Sequence, residues 1–515
     1  MNLPDLLLGI DVSTQSVKGI LVRADGEIVS QALVMHNSCF PCPDWVEHDM
    51  HQTWWLDSLE VIRQVLASSG ISPKRIQGVG ISGLYPALGP TDGKGNPLYG
   101  AILYSDNRAV AEVEEVNQAM NLRLSSEELT PKLIWFLRHK PELAAKMRMF
   151  FDGAHYLIYK LTGAYVTDTI TAGLYGAIYE SPEATWRTEV CSRFGIPFEI
   201  LPNVNPPGQI AGRVHHQGAQ ISGLAEGTPV VSGMPDLFAS MLAAGVVHPD
   251  EAIAYYGTAG VLPVAKDEAF NAVWKPFPIA ERGGKVQEGY LYDYPVYSLT
   301  VGDAVRWFRE EFAPLEKQAE QERDVNSYAL LDGLAEGIPP GSEGLLFLPY
   351  MQGQRSPQFN PWATGVFFGL KSSHTRAHLY RAILESWGYS IRHGLETSYP
   401  EGHPVRRLVA TGGGARSALW RQIVSDISGI SQDYVEDADG PLGAAYVAGM
   451  ATGLFEDFEA LKNRWVKVSA HTEPNWEYYK KYSNYYSIFV ELHQALEKSF
   501  QRLHEANMMS GERNV

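Results

Sequence analysis

The sequence is short of cysteine, of positive charge and of unbroken apolar stretches, and each shortage removes a class of protein. Three cysteines stand in 515 residues. Cys39 and Cys42 have CxxC spacing, but no second ligand pair matches it, so two free thiols are expected here and not a zinc site. With Cys191, the count suits a reducing cytoplasm. Lys and Arg number 42 against 59 Asp and Glu, a net charge of −17, which argues against nucleic acid or an anionic membrane as the main partner. No apolar run is long enough to span a bilayer, and Met1-Asn2-Leu3-Pro4-Asp5 lacks the basic start of a secretory leader. A Walker A pattern is missing, because the Gly-Lys pairs at Gly93 and Gly284 are followed by glycine and valine.

Present instead are three small-residue segments: Asp11 to Lys18, Tyr255 to Gly260, and Thr411 to Ser417. The first two lie between short apolar runs, the pattern of a strand–turn–strand hairpin, whose exposed N–H groups and hydroxyls suit phosphate oxygens. The third precedes a helical pattern, where a glycine-rich start can hold an anion or a flat ring. Together they suggest a nucleotide held between two domains, and the length allows two or more.

The order of elements repeats. Leu6–Ile10, Val17–Val22 and Glu27–Val34 read as an antiparallel meander turning at Asp25-Gly26. Ile76–Ile81 and Leu98–Leu103 read as further strands, and Gln52–Ala67 and Lys132–Arg148 as helices. A second hairpin follows at Ala252–Tyr256 and Val261–Val264, with a third strand over Val286–Asp293. Helices are then expected at Val301–Phe312, Arg376–Leu395, Ala418–Ile427 and Leu442–Ala451, a short strand at Leu408–Thr411, and a charged terminal helix from Trp476. This predicts two related α/β domains with a cleft between them, residues 1–247 and 248–515. Two tempting motifs weaken. Gly78, Gly80 and Gly83 form a GxGxxG, but Leu84–Pro90 is no helix, so the dinucleotide-binding reading fails. His215-His216 reads as a solvated loop.

The segment Gly365-Val366-Phe367-Phe368-Gly369-Leu370, followed after seven residues by His378 to Glu385, resembles the C-terminal signature of the FGGY family of ATP-dependent carbohydrate kinases. Residues 343–369 and Pro131-Lys132-Leu133-Ile134-Trp135 are similar to its xylulokinase branch. The resemblance implies an actin-like, ribonuclease-H-like duplicated fold. It places the sugar and the first phosphate hairpin in the N-terminal domain and the adenine in the C-terminal one. It also implies ATP and Mg²⁺ as cofactors, and a small ketose or polyol as substrate. A homodimer is the assembly this reading carries.

Residue by residue, the resemblance implies that Asp236 takes the proton from the sugar hydroxyl, although an aspartate ahead of a helix is also an ordinary cap. Asp11 would orient water on Mg²⁺, or simply cap its turn. Thr14, Gln15, Ser16 and Lys18 align with phosphate contacts, and Ser13 replaces the usual glycine, which would strain a positive φ. Gly257 and Thr258 match the second phosphate hairpin. Gly302 and Arg306 match positions beside the nucleotide, and Gly413, Gly414 and Ala415 match the adenine cradle. The Met-His pair that faces the sugar in xylulokinases is Tyr85-Pro86 here, so D-xylulose itself is in question. Asp106 and Arg108 resemble a stretch near the sugar. Trp45 is either a stacking platform or a core tryptophan. A nucleotide-binding regulator of the same fold stays open as the alternative.

Overall fold

The computed structural model describes residues 6–122, 124–180, 185–248, 250–265, 292–323, 325–436, 438–458 and 460–511. Two units emerge. The first holds residues 6–247 together with 438–466, and the second holds 248–265, 292–436 and 467–511. The later segment of the first unit comes from the half of the chain that sequence reading assigned wholly to the second.

In the first unit, Leu6–Val12, Ser16–Arg23 and Ile28–Met35 form the expected antiparallel meander. Leu6–Val12 is buried along its whole length, as a strand covered on both faces must be. It pairs in parallel with Ile76–Gly83, which continues through Pro229–Val231 to Ile210–Arg213, while Met234–Pro235 joins Ile76–Gly83 beyond that point. The second unit repeats this order. Glu251–Tyr256, Gly260–Ala265 and Tyr292–Ser298 form a meander, and Glu251–Tyr256 runs parallel to Arg407–Thr411, which pairs with Ser431–Tyr434. The third strand is described from Tyr292 onward, and the expected span over 286–291 lies outside the described residues.

The helix Gly440–Ala451 is buried at nearly every position, and its small residues explain how. A Cβ on Gly9 or Gly80 would collide with the carbonyl oxygens of Pro441 and Ala444, and one on Gly443 with that of Ala239. Helix backbone therefore lies directly on strand backbone. Two of these glycines sit in or beside the false dinucleotide motif, and their use is close packing.

Other differences have local causes. The helix expected over Lys132–Arg148 spans Leu129–His139, because Pro141 pushes Lys140 out of helical geometry (φ −128°, ψ 52°). A short turn at Pro141–Ala144 and a strand at Met149–Phe151 follow. Of Leu98–Leu103 only Ala101–Ile102 is strand, paired with Glu47–His48. The Gln52–Ala67 helix begins as a π-helical turn, Met50–Leu56, before Asp57–Ser69. His215 is no loop residue: its Nδ1 accepts from Gly218 N–H and caps the helix His216–Ser222. Among the described residues no helix is long and apolar enough to cross a membrane.

Candidate active site

Strand register builds the carboxylate site of the first unit. Asp11 is the partner of Ser82 across the parallel pair, and Ser82 is in turn the partner of Met234, two residues before Asp236. Three strand ends therefore deliver Asp11, Ser82 and Asp236 to one edge of the sheet, where open α/β sheets place their ligands. Ser82 Oγ donates to Asp11 Oδ1 at 2.7 Å, and Ser13 Oγ donates to Oδ2. Ser13 is not among the positive-φ residues of the described chain. The serine strains nothing, and it supplies a hydroxyl that a glycine would lack. The start of the Gly440–Ala451 helix closes the site, since a Cβ on Gly440 would meet Asp11 Oδ1 at 2.9 Å and Ser82 Oγ at 3.0 Å. A helix N-terminus beside Asp11 favours its charge. Lys18 Nζ reaches Asp439 Oδ2 at 3.0 Å.

Burial raises the Asp11 carboxyl pKa above the usual range, against the pull of Ser13 and Ser82. Asp236 opens the helix Asp236–Ala243, and its Oδ1 accepts the N–H of Leu237 at 2.6 Å. Its pKa is raised to about 8, first by burial and then by the Asp11 charge. Tyr104, which sequence reading passed over, joins this group. Its hydroxyl is hydrogen-bonded to Thr14, and its pKa is raised by burial and by the nearby Asp236.

The segments expected near the sugar hold one another. Arg108 gives Nε and Nη2 to Asp106 at 2.8 and 2.7 Å and Nη1 to Glu47 at 2.7 Å, with its side chain fully buried. Its guanidinium lies 3.9 Å over the Trp45 ring, whose edge meets Trp135. Trp45 is thus half-buried with one face taken by Arg108. Lys132, another residue without an assigned role, is buried and donates to the carbonyls of Tyr104 and Ser126. Burial lowers its pKa to about 8, although Asp106 and Glu128 pull the other way. Tyr85 and buried Pro86 follow Leu84, whose N–H bonds the carbonyl of Val12 at 2.9 Å, so they too lie beyond the Asp11 strand end.

In the second unit the nucleotide candidates converge on the turn after Tyr256. Gly302 N–H donates to Gly257 O at 2.9 Å, and Asp303 N–H to Thr258 O at 3.2 Å. This seats the helix Gly302–Phe312 on the hairpin. A Cβ on Gly412 would meet the Tyr256 carbonyl at 3.1 Å, and one on Gly414 would strike Trp420. Ala415 is buried, while a Cβ on Gly413 would meet nothing within 4 Å, which leaves open space against that backbone. Arg306 is exposed one turn into the helix and pairs with Asp303.

The FGGY family of carbohydrate kinases is matched by its N-terminal domain over residues 6–243 and by its C-terminal domain over residues 252–452. A xylulose kinase of Bacillus subtilis (strain 168) is 26% identical over 497 residues, covering 95% of this chain and 96% of its own. A gluconokinase of Bacillus licheniformis is 27% identical over 521 residues, covering 96% and 97%. The crystal structure of xylulose kinase from Rhodospirillum rubrum superposes with a TM-score of 0.84 at 28% identity, covering 96% of this chain and all of that one.

Proposed function

The chain belongs to the FGGY family of carbohydrate kinases, and from that premise we propose that it phosphorylates a neutral open-chain ketose or polyol with Asp236 as the general base. The observation that carries the role of Asp236 is its placement. It is a part-exposed carboxylate at a strand end, with one oxygen fixed by Leu237 N–H and its proton affinity lifted by burial and Asp11. As the acceptor oxygen bonds the γ-phosphorus of ATP, the bond from that phosphorus to the β–γ bridging oxygen breaks and ADP leaves. The hydroxyl proton passes to Asp236.

Buried Asp11, held by two hydroxyl donors with Asp236 and Asp439 near it, concentrates negative charge that suits a divalent cation. No cluster of three ligand side chains exists among the described residues, so the donor set fits an ion that keeps its water, as Mg²⁺ does. When bound with ATP it neutralises phosphate charge. The residues on this side of the reaction are Asp11, which would hold that water, and the Thr14, Gln15, Ser16 and Lys18 turn, which would meet phosphate oxygens.

The preference for a neutral acceptor comes from the cations. Arg108 is fully buried and gives each of its three nitrogens to Asp106 or Glu47, and buried Lys132 donates to two backbone carbonyls, so neither offers a carboxylate-binding fork. Assays of ADP formation with Mg-ATP should find turnover with a ketose or polyol such as D-xylulose or its stereoisomers. Gluconate should be poorer by about tenfold or more, since one unmet charge costs over 1.4 kcal/mol. Gluconate as the best acceptor would overturn the neutral-sugar reading. Tight ATP binding with no turnover on any sugar would favour a regulator.

The raised Asp236 pKa sets the pH response. A base works only when deprotonated, so kcat/KM for the sugar should climb as pH rises towards about 8. A profile flat from about pH 5.5 upward would contradict that assignment.

A further inference from the structure

Behind the Asp11 to Lys18 turn stand two histidines that neither composition nor family likeness singles out. His36 closes the Ile28–Met35 strand, and its side chain is only 5% exposed. Its Nε2 lies 3.1 Å from the carbonyl oxygen of Ser13, and its Nδ1 lies 3.1 Å from Asp57 Oδ2. A carbonyl can only accept. Asp57 opens the Asp57–Ser69 helix, where a carboxylate is favoured, and its other oxygen already accepts from Gln52 Nε2 at 3.1 Å. Both ring nitrogens therefore face oxygens that accept, and Nε2 is the one that meets the turn. The His36 backbone N–H also donates to Gln15 O at 2.9 Å.

His48 completes the backing, with its ring centroid 5.1 Å from that of His36. Trp54 Nε1–H donates to its Nδ1 at 3.0 Å, which leaves the proton on Nε2, 3.0 Å from Ser38 Oγ. The same ring is hydrogen-bonded to the backbone of Thr14, and a donating Nε2 makes that partner the Thr14 carbonyl. Burial, and then the His36 charge, hold His48 neutral, near 4.

We propose that His36, oriented by Asp57 and seconded by His48, is a positioning residue that draws the successive carbonyls of Ser13, Thr14 and Gln15 to one side of the turn and leaves the amides of Thr14 and Gln15 to face phosphate. Three like-directed carbonyls are what a concave anion site built of N–H groups requires. A peptide flipped the other way would aim a carbonyl at a phosphate oxygen. The π-helical turn Met50–Leu56 brings Trp54 to the His48 ring and, at its C-cap, Asp57 to the His36 ring, with Gln52 holding Asp57, a use that fits the association of such turns with functional sites.

The proposal rests on reading this turn as a phosphate site, and the test separates the two. ATP is titrated calorimetrically, with Mg²⁺ in the buffer, into the full chain and into His36→Leu, His36→Gln and Thr14→Asp. Thr14→Asp places a charge on the phosphate side and should abolish tight binding. His36→Leu should weaken binding about tenfold through the loss of an oriented hydrogen bond to the Ser13 carbonyl. His36→Gln keeps an N–H for the Ser13 carbonyl and should stay within about threefold. Should the leucine variant not fold, Asp57→Ala gives the same reading, with weakening of about threefold or more. Unchanged ATP affinity in Thr14→Asp would remove the phosphate site, and the positioning role with it. Thr14→Asp losing affinity while His36→Leu binds like the wild type would overturn the positioning role alone. So would equal losses in the leucine and glutamine variants, since those report a packing defect and not a donor.

Discussion

Replacing Asp236 by asparagine should lower kcat by about 10²–10⁴-fold, the usual share of a general base, while KM for ATP changes little and the protein melts higher. The two effects come from one cause. Asparagine keeps the shape and still accepts the Leu237 N–H, but it cannot take up a proton. The folded protein holds the Asp236 pKa at about 8, well above its ordinary value of 3.8. The protonated form is thus favoured by folding. The carboxyl's contribution to stability is complete below the unfolded pKa and is lost as pH rises through the folded one. At pH 8 the wild type carries that loss and the asparagine variant does not, so the variant should be more stable by about 0.5–2 kcal/mol. The gap should shrink as the melts are repeated at lower pH. Activity within about tenfold of wild type would remove Asp236 from the proton-transfer step. A variant that melts lower at pH 8 would contradict the like-charge environment.

The legible part of this site was its local part. The strand–turn–strand segments at Asp11 and Tyr255, the glycine run at Gly412 and the helix start at Asp236 can be read because turn chemistry and apolar periodicity act over a few residues. Those readings survive with edges moved by one or two positions, whereas one proline divides the helix read over Lys132–Arg148 and Leu98–Leu103 shrinks to Ala101–Ile102. What stayed hidden depends on pairs far apart in sequence. Nothing near Gly80 indicates that Ala444 will press on it, and nothing in residues 438–466 says that they pack with the first unit. Asp57 looks like an ordinary helix-start aspartate until the strand ending at Met35 brings His36 against it. Lys132 sits inside a stretch whose likeness was noticed, yet its partners are carbonyls, which carry no side-chain signal. Tyr104 stands beside the recognised Asp106 and Arg108, and its tie to Thr14 joins residues far apart in the chain. The GxGxxG case runs the other way. There a local pattern is real, but its glycines answer to helix packing and not to a pyrophosphate.

Arg108→Ala should destabilise the first unit by about 3–5 kcal/mol, the range for removing one partner of a buried ion pair. Its side chain and that of Asp106 are both fully buried, and Glu47 is 12% exposed. The deletion strands a carboxylate that keeps only the N–H groups of Val46, at 2.5 Å, and of residue 108 itself, at 2.9 Å. It also uncovers the Trp45 ring, which forfeits a cation–π contact of about 0.5–2 kcal/mol. Burial works against the Arg108 charge, yet Asp106 and Glu47 outweigh it and raise its pKa, so the network is bound by mutual need. Lysine should rescue little, because one ammonium cannot meet two carboxylates as a planar fork does. The informative comparison is Asp106→Asn with Arg108→Met, which removes both charges and should recover more than half of the loss in urea melts. Function should follow stability only in part. Asp106 ties residues 44–47 to 103–108, since Leu103 N–H meets Val46 O at 3.0 Å and Asn107 N–H meets Asp44 O at 3.0 Å. The double variant should therefore fold with a raised sugar KM and an unchanged KM for ATP. A cost below about 1 kcal/mol for Arg108→Ala, the scale of an exposed pair, would mean that the network is solvated and sets nothing.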